Sequence, residues 1–552
     1  MKLKHSLYVI SAAALSLAGC SKYLETKTPD RFTDDVYWSS EANVRAYNWE
    51  FYNLFTGFGT GTTGDFYFST FSDDQATTGL SVYPASAAAT NGNWDWTLIR
   101  KANIMIKRVE TVPMSDEAKK HWTAVARFFR AFDYFGKVKL FGDVPWIGTP
   151  LDISDTAAIY KPRDPRKLVM DSVLADINFA IDNLRATDLD NTVNKNVALA
   201  FKSRVCLFEG TYRKYHTEVG LNDADVWLAA CKDASEKVMT AGYVLGANYK
   251  DIYSSMSLTG NKEVILYKVY VAGGMTHSVI GYTNSTTQMS GLTKSAVESY
   301  AATDGLPITL SPLYQGDADI KTLRMNRDKR LLQTVDTFLA YNGTLVGGLS
   351  SSTGYRPSKF LNPASNQLAP NNETDAPLFY LGEILLNYAE AVAELDQLGK
   401  YTVTNADLDK SVNLLRMRAG IAKLETQGGQ TVAVNGTAFA DPKKDADVTP
   451  LIWEIRRERR VELMMDGFRY QDLMRWKKGA YMDNAKNPDI FLGAKVPDNG
   501  KVLRNANGYI MTYTAGTNRP FIDPRHYLSA IPTGQISLYP AGMLKQNPGW
   551  EQ

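Results

Sequence analysis

Few residues in this chain stand where catalytic chemistry would need them. The histidines past the first twenty residues, His121, His216, His277 and His526, are scattered, and none forms the close-spaced pair that a metal site uses. No Gly-x-Ser-x-Gly elbow and no phosphate-cradling Walker loop occurs. No catalytic metal, cofactor or nucleophilic triad is expected. Gly59-x-Gly61-x-x-Gly64 matches a dinucleotide fingerprint by letter. That chemistry needs a strand before the glycines and a helix after them. Here a helical pattern precedes them and Thr62 and Thr63 interrupt them, so a flexible loop is expected. Glu383, Glu390 and Glu394 could pass for glycosidase carboxylates. Hydrolysis of a glycoside needs two carboxyls facing each other across a sugar, roughly 5 to 9.5 Å apart. Carboxylates strung along one helix face do not surround a substrate, so they read as a solvated face opposite the apolar stripe Leu381, Leu385, Tyr388, Val392 and Leu395. The run Arg456–Glu462 interleaves arginines with Glu454, Glu458, Glu462 and Asp466, spacings that predict ion pairs within one helix.

What remains is binding chemistry. Aromatic residues make up 11% of the chain, with 30 Tyr and 10 Trp, and such a surplus gathers where a protein meets ligands. Trp94, Trp96, Tyr83, Tyr282, Tyr341 and Tyr355 lie in or beside loops. Flat apolar sugar faces stack on such rings while nearby amides and carboxylates bond the hydroxyls. Trp94 and Tyr282 are the first candidates, followed by Tyr83, Trp96 and Tyr355; Trp96 opens a helix and also suits a core position.

The elements that must position these rings are mostly helices. Glu41 to Phe55, Trp96 to Val109, Lys119 to Leu140, Pro165 to Leu184, Val197 to Tyr215 and Asp225 to Ala241 carry helical periodicity. Val125, Phe128, Phe129, Phe132 and Phe135 mark one face of the third. Paired helices of this length suggest tetratricopeptide-like hairpins stacked into a scaffold, a mainly α fold. Residues 246–375 turn loop-rich, with Glu263 to Tyr270 the clearest strand, and read as an insertion over the scaffold. Helices resume at Pro377, with Leu408 to Ala419 as hairpin partner and Leu451 to Lys478 as a last long helix.

Charge is nearly balanced. Lys+Arg is 61 against Asp+Glu 59, which gives no basic face for nucleic acid. Lys2 and Lys4 precede an apolar stretch too short for a membrane span, as in a signal peptide over residues 1–19. Leu17-Ala18-Gly19-Cys20 resembles a bacterial lipobox, which implies cleavage before Cys20 and lipids carried by Cys20. The remaining Cys206 and Cys231 read as buried free thiols.

Several segments together resemble the SusD/RagB family. They are Ala131-Phe132-Asp133-Tyr134-Phe135 with Phe141-Gly142-Asp143-Val144-Pro145, then Arg204 to Tyr212, Leu385 to Ala391, Leu415 to Gly420, Glu458 to Leu463, Gly467 to Trp476, and the ending Gln546-Asn547-Pro548-Gly549-Trp550. The resemblance implies a SusD-like α-α superhelix. Residues 20–245 would form its N-terminal helical region, 246–375 the insertion and 376–552 the C-terminal region. It implies a non-catalytic lipoprotein displayed on the outer membrane, facing outward, that hands glycans to a SusC-like TonB-dependent transporter. A peptide-binding lid of a peptide importer is the alternative, and a surface glycosidase a weaker one.

Overall fold

The structure is a computed structural model that describes residues 37–68, 71–77, 81–284, 290–340, 351–427, 430–433, 436–498, 500, 502–514 and 516–551. Cys20 and Tyr341 lie outside the described residues.

Helices build the first half. The longer ones are α1 (Glu41–Asn48), α2 (Thr97–Val109), α3 (Asp116–Phe141), α4 (Arg166–Asn183), α5 (Lys195–Tyr215) and α6 (Ala224–Met239). From α2 onwards each packs on the next. Local chemistry sets their ends. The Ser115 hydroxyl accepts the Ala118 N–H at the start of α3, with Asp116 and Glu117 in the first turn, where carboxylates suit the helix dipole. Gly142 ends α3 at φ +71°, and a Cβ there would stand 2.9 Å from the Leu528 side chain. On the expected apolar face of α3, Val125, Phe128, Phe129 and Phe135 are buried, while Phe132 is half-buried against the same core. Gly210 on α5 lets α6 approach, since a Cβ would meet Leu228 at 2.8 Å. Cys206 and Cys231 are buried and free.

Between α6 and α7 (Leu381–Gln397) no described helix exceeds six residues. The strands here and beyond are short and antiparallel in pairs. β1 (Gln75–Thr77) joins β3 (Ser290–Leu292), and β2 (Val264–Lys268) joins β4 (Ala376–Tyr380). β2 is the strand expected from the sequence. Pro377, expected to open a helix, instead lies in β4 opposite Tyr267. A two-stranded pair tolerates a residue without an N–H at its edge, and the helix begins at Leu381.

α7 is the central element. Every residue from Leu381 to Leu395 is buried. Its side chains feed three apolar clusters. Ile384 and Ala391 join the helical half, and Leu385 and Leu386 join the second half. Tyr388 and Val392 form a third patch with Val412 of α8 (Val412–Ala419) and Ile452 of α9 (Pro450–Glu462). A helix buried all round has no solvated face. The outward, water-facing side expected for Glu383, Glu390 and Glu394 is therefore absent; all three are fully buried.

The expected helix Leu451 to Lys478 is two helices, α9 and α10 (Phe468–Arg475). Met465 and Gly467 at the break have φ +65° and +84°. The chain from Asp65 to Tyr67 wedges into the bend. Tyr67 N–H donates to the Met465 carbonyl at 2.7 Å, and a Cβ on Gly467 would lie 2.3 Å from the Asp65 carbonyl oxygen. A continuous helix has no room for that segment.

Candidate functional site

The buried carboxylates of α7 face guanidinium groups rather than an opening. Glu383 takes Arg204 of α5 in a forked pair at 2.7 and 2.6 Å. Glu390 accepts from Arg475 and from Trp476 Nε1, both at 2.7 Å. Glu394 accepts from Arg456 at 3.0 Å and from the Tyr215 hydroxyl at 2.7 Å. Burial alone would raise the Glu390 carboxyl, but Arg475, Arg459 and Arg456 outweigh it and hold it at about 2. The arginines of α9 thus find partners mostly on other elements, not within their own helix as their spacing predicts. Arg457 does pair with Glu454 three residues back, while Arg459 reaches Asp472 at 2.9 Å and Arg460 reaches Asp74 at 2.7 Å. Glu458 and Glu462 share Arg330 at 2.7 and 2.9 Å. This web fixes the scaffold to the C-terminal half. Its three α7 carboxylates are held by cations rather than set facing one another across a cleft.

The five rings singled out from the sequence do not form one surface. Trp94 is 8% exposed, packed edge-on against Trp96 and Phe141 at 5.4 and 4.9 Å. Tyr355 is 2% exposed in the second core. Neither offers a face to a ligand. Trp96 is half-buried under the Lys137 ammonium, 5.1 Å from its ring, at the edge of a separate and largely apolar cleft with Ile99 and Tyr539. Tyr282 is half-buried with Phe68 edge-on at 5.6 Å. Of the five, Tyr83 stands in a cleft that gathers further rings, hydroxyls and amides.

That cleft, the Tyr83 mouth, has a volume of about 160 Å³, and two of its lining residues, Lys139 and Gln471, also line a neighbouring cleft of about 440 Å³. The mouth is built by the loop 83–91, the start of α10 and the C-terminal segment 526–530. Hydrogen bonds lock these walls together. Thr533 and Gly534 N–H groups donate to the Ala88 and Ala89 carbonyls at 3.0 Å. Asn547 Nδ2 donates to the carbonyls of Phe141 and Ser529, at 3.1 and 2.7 Å, and Trp550 Nε1 to the Arg525 carbonyl at 2.7 Å. The ending Asn547-Pro548-Gly549-Trp550 is therefore a clasp over the end of α3. Tyr83 stacks on His526 with centroids 4.7 Å apart and donates its hydroxyl towards Met482 Sδ at 3.2 Å. Ile522 N–H donates to His526 Nδ1 at 3.0 Å, and burial with the nearby Arg525 pushes this imidazole down to about 4, so it is neutral at neutral pH. His526, Tyr527 and Trp550 are buried props, which leaves Tyr83 and Tyr470 as the half-buried rings of the mouth. Ser86, Thr90, Asn91 and Ser529 add neutral hydrogen-bonding groups.

A second cleft of about 260 Å³ beside Trp453 and Tyr481 is strongly charged, and most of its charges are held in ion pairs, although Arg456 Nε and Nη1 have no partner among the described residues. Asp441 holds Arg457, Asp445 holds Lys478, and Glu298 holds Lys294 and Lys443. The mouth at Tyr83 is the better platform for a neutral polar ligand. Of the rings named from the sequence, Tyr83 lines this cleft; Tyr470, Lys139 and Asn91 line it too and are not singled out by the sequence. Tyr470 sits in the stretch Gly467–Trp476, which reads as structural, and only the bend at Gly467 turns it towards the loop.

Known proteins share this architecture. The family model described as SusD family matches residues 262–550, just over half of the chain. A SusD-like protein of Formosa agariphila is 24% identical over 509 residues, which is 86% of this chain and 90% of that protein. A solved SusD-like carbohydrate binding protein from Bacteroides fragilis superposes with a TM-score of 0.71 at 21% identity, covering 92% of this chain and 100% of that one. A laminarin binding SusD-like protein superposes with a TM-score of 0.58 at 18% identity, over 93% of this chain and 100% of that one. The helical scaffold with its buried central helix, and a family match spanning the whole C-terminal half that clasps it, lead to one conclusion: this chain belongs to the SusD family.

Proposed function

We propose that this protein captures glycans at the mouth beside Tyr83 and passes them, without cleaving them, to a SusC-like TonB-dependent transporter. The observation that carries the reading is the mouth itself. Two half-buried rings, Tyr83 and Tyr470, stand among hydroxyl and amide groups in a wall that hydrogen bonds tie together. Rings supply stacking area for the apolar face of a sugar, and neutral polar groups supply orientation. Relatives described as carbohydrate binding and laminarin binding support the ligand class. Lipid attachment at Cys20 would keep the protein at the outer membrane, facing the exterior; two or more acyl chains give stable anchoring where a near-neutral protein has no help from charge.

The soluble form, residues 21–552, run by electrophoresis through gels that contain single polysaccharides tests this reading. Retardation by at least one glycan is expected, and Tyr83→Ala should weaken it by about 1–3 kcal/mol, by analogy with ring stacking elsewhere. If no polysaccharide or oligosaccharide slows or binds the protein, the reading fails.

A further inference from the structure

Most interior cations in this protein meet a carboxylate. Lys359 pairs with Asp466, Lys137 with Asp133, Arg166 with Glu209 and Arg130 with Asp176. Lys139 departs from that rule. Its ammonium lies 4.8 Å from the Phe135 ring centroid and makes no hydrogen bond or ion pair among the described residues. It lines both the cleft at Tyr83 and the neighbouring larger one. The other charged groups that face it are Arg204, already forked onto Glu383, and Asp65, whose carboxylate accepts the Gly57 N–H at 3.1 Å and forms no ion pair with Lys139. Burial, with the Arg204 charge beside it, pushes the Lys139 ammonium down to about 8, and the attraction of Asp65 does not restore it. A half-buried cation with no carboxylate in ion-pair contact is costly where an uncharged side chain of the same length would pack as well. An anion brought by a ligand would remove that cost. The walls beside it, Phe132, Phe208 and Phe468, give an apolar surface to whatever carries the charge.

We propose that the bound glycan carries an acidic group, a carboxylate or a sulfate, and that Lys139 is the specificity-determining side chain that receives it. This rests on the reading of the mouth as a glycan site and narrows it to acidic sugars. The acidic group meets the ammonium, while the remainder of the chain lies on Tyr83 and Tyr470, which line the same cleft.

Calorimetry on the soluble protein at about 0.15 M ionic strength, where free surface charge is screened, would compare three probes. They are an oligogalacturonate, a sulfated galactan oligosaccharide and a neutral β-glucan oligosaccharide. The expected result is at least about tenfold tighter binding of one acidic probe than of the neutral one; which acidic probe wins identifies carboxylate or sulfate. Lys139→Met should bring that affinity down to the neutral level, and Lys139→Arg should keep the preference. In the unmodified protein, the preferred probe should also shield Lys139 from amine acylation, read by peptide mass. Neutral binding as tight as acidic binding, or an acidic preference that survives Lys139→Met, or labelling of Lys139 unchanged by ligand, overturns the proposal and leaves the glycan site standing. Failure of all three probes and of every polysaccharide overturns the glycan reading as well.

Discussion

Trp94 and Tyr83 are equally plausible as ligand rings when only their loop setting is known, and the structure separates them by what lies behind each. Trp94 has Phe141 and Trp96 against it and no open face. Trp94→Ala should therefore cost about 3–5 kcal/mol of folding stability, as loss of a large core ring does; urea unfolding would measure it, and an unchanged midpoint would show that the ring is not core. Tyr83 is only half-buried, with His526 stacked on it and Phe71 and Phe521 at 5.2 and 5.5 Å. A loop composition rich in aromatics shows that rings are available. It does not show which way they turn, because that depends on residues such as Phe141 and His526 far away in the chain.

At the scale of elements, α7 shows how periodicity can be read correctly and interpreted wrongly. The apolar stripe and the acidic stripe are both real, but both are buried, since α5, α6 and α9 all pack on this helix. A carboxylate stripe on one helix looks the same in sequence whether water or arginine faces it; only Arg204, Arg456 and Arg475, each on another helix, decide. Glu390→Gln leaves Arg475 with a weakened partner in a dry site and should lower stability by about 3–5 kcal/mol, checked by denaturant titration at neutral pH. The bend between α9 and α10 belongs to the same scale. Gly467→Ala should destabilise by more than about 1 kcal/mol, because the position combines φ +84° with a 2.3 Å approach to the Asp65 carbonyl; an unchanged melting temperature would argue against that packing. The break itself is hidden in the sequence because Arg456 to Trp476 keeps strong helix formers on both sides of it, and the wedge comes from residues 65–67.

For the whole molecule, the mainly helical scaffold was legible because long periodic helices fix it, and the strand at 264–268 because a short run of β-branched and apolar residues stands out in a loop-rich region. The cleft was not, since loop 83–91, α10 and the C-terminal segment come together only through tertiary hydrogen bonds. Acid should test the assembled fold. His121, His277 and His526 are each buried, and each accepts a backbone N–H at Nδ1, from Arg185, Val279 and Ile522. Burial pushes their imidazoles down to about 4, 3 and 4. The unfolded chain therefore binds more protons below the ordinary value of 6.5, so stability falls as pH drops through that point towards 4. Urea midpoints at about pH 7 and about pH 5 would measure the fall, expected to be on the order of 1–2 kcal/mol per histidine; equal midpoints would mean that the imidazoles are not held neutral.

The buried charge web also bears on how the chain reaches this state. Neighbouring helices such as α5 and α6 can dock early, since their contacts are close in sequence. The partners of α7 are remote: Arg204 and Glu383 are 179 residues apart, and Arg475 and Glu390 are 85 apart. Such contacts form only after long loops close, which makes them slow. Until they form, the carboxylates and guanidiniums of these pairs stay hydrated, so their burial is expected late in folding, and a slow refolding phase lost on Glu390→Gln would show it. The same step runs in reverse on unfolding, when every guanidinium would have to leave its carboxylate before water arrives to replace it. Such a web is expected to slow unfolding as well as to deepen the minimum, and unfolding rates in concentrated urea would read it.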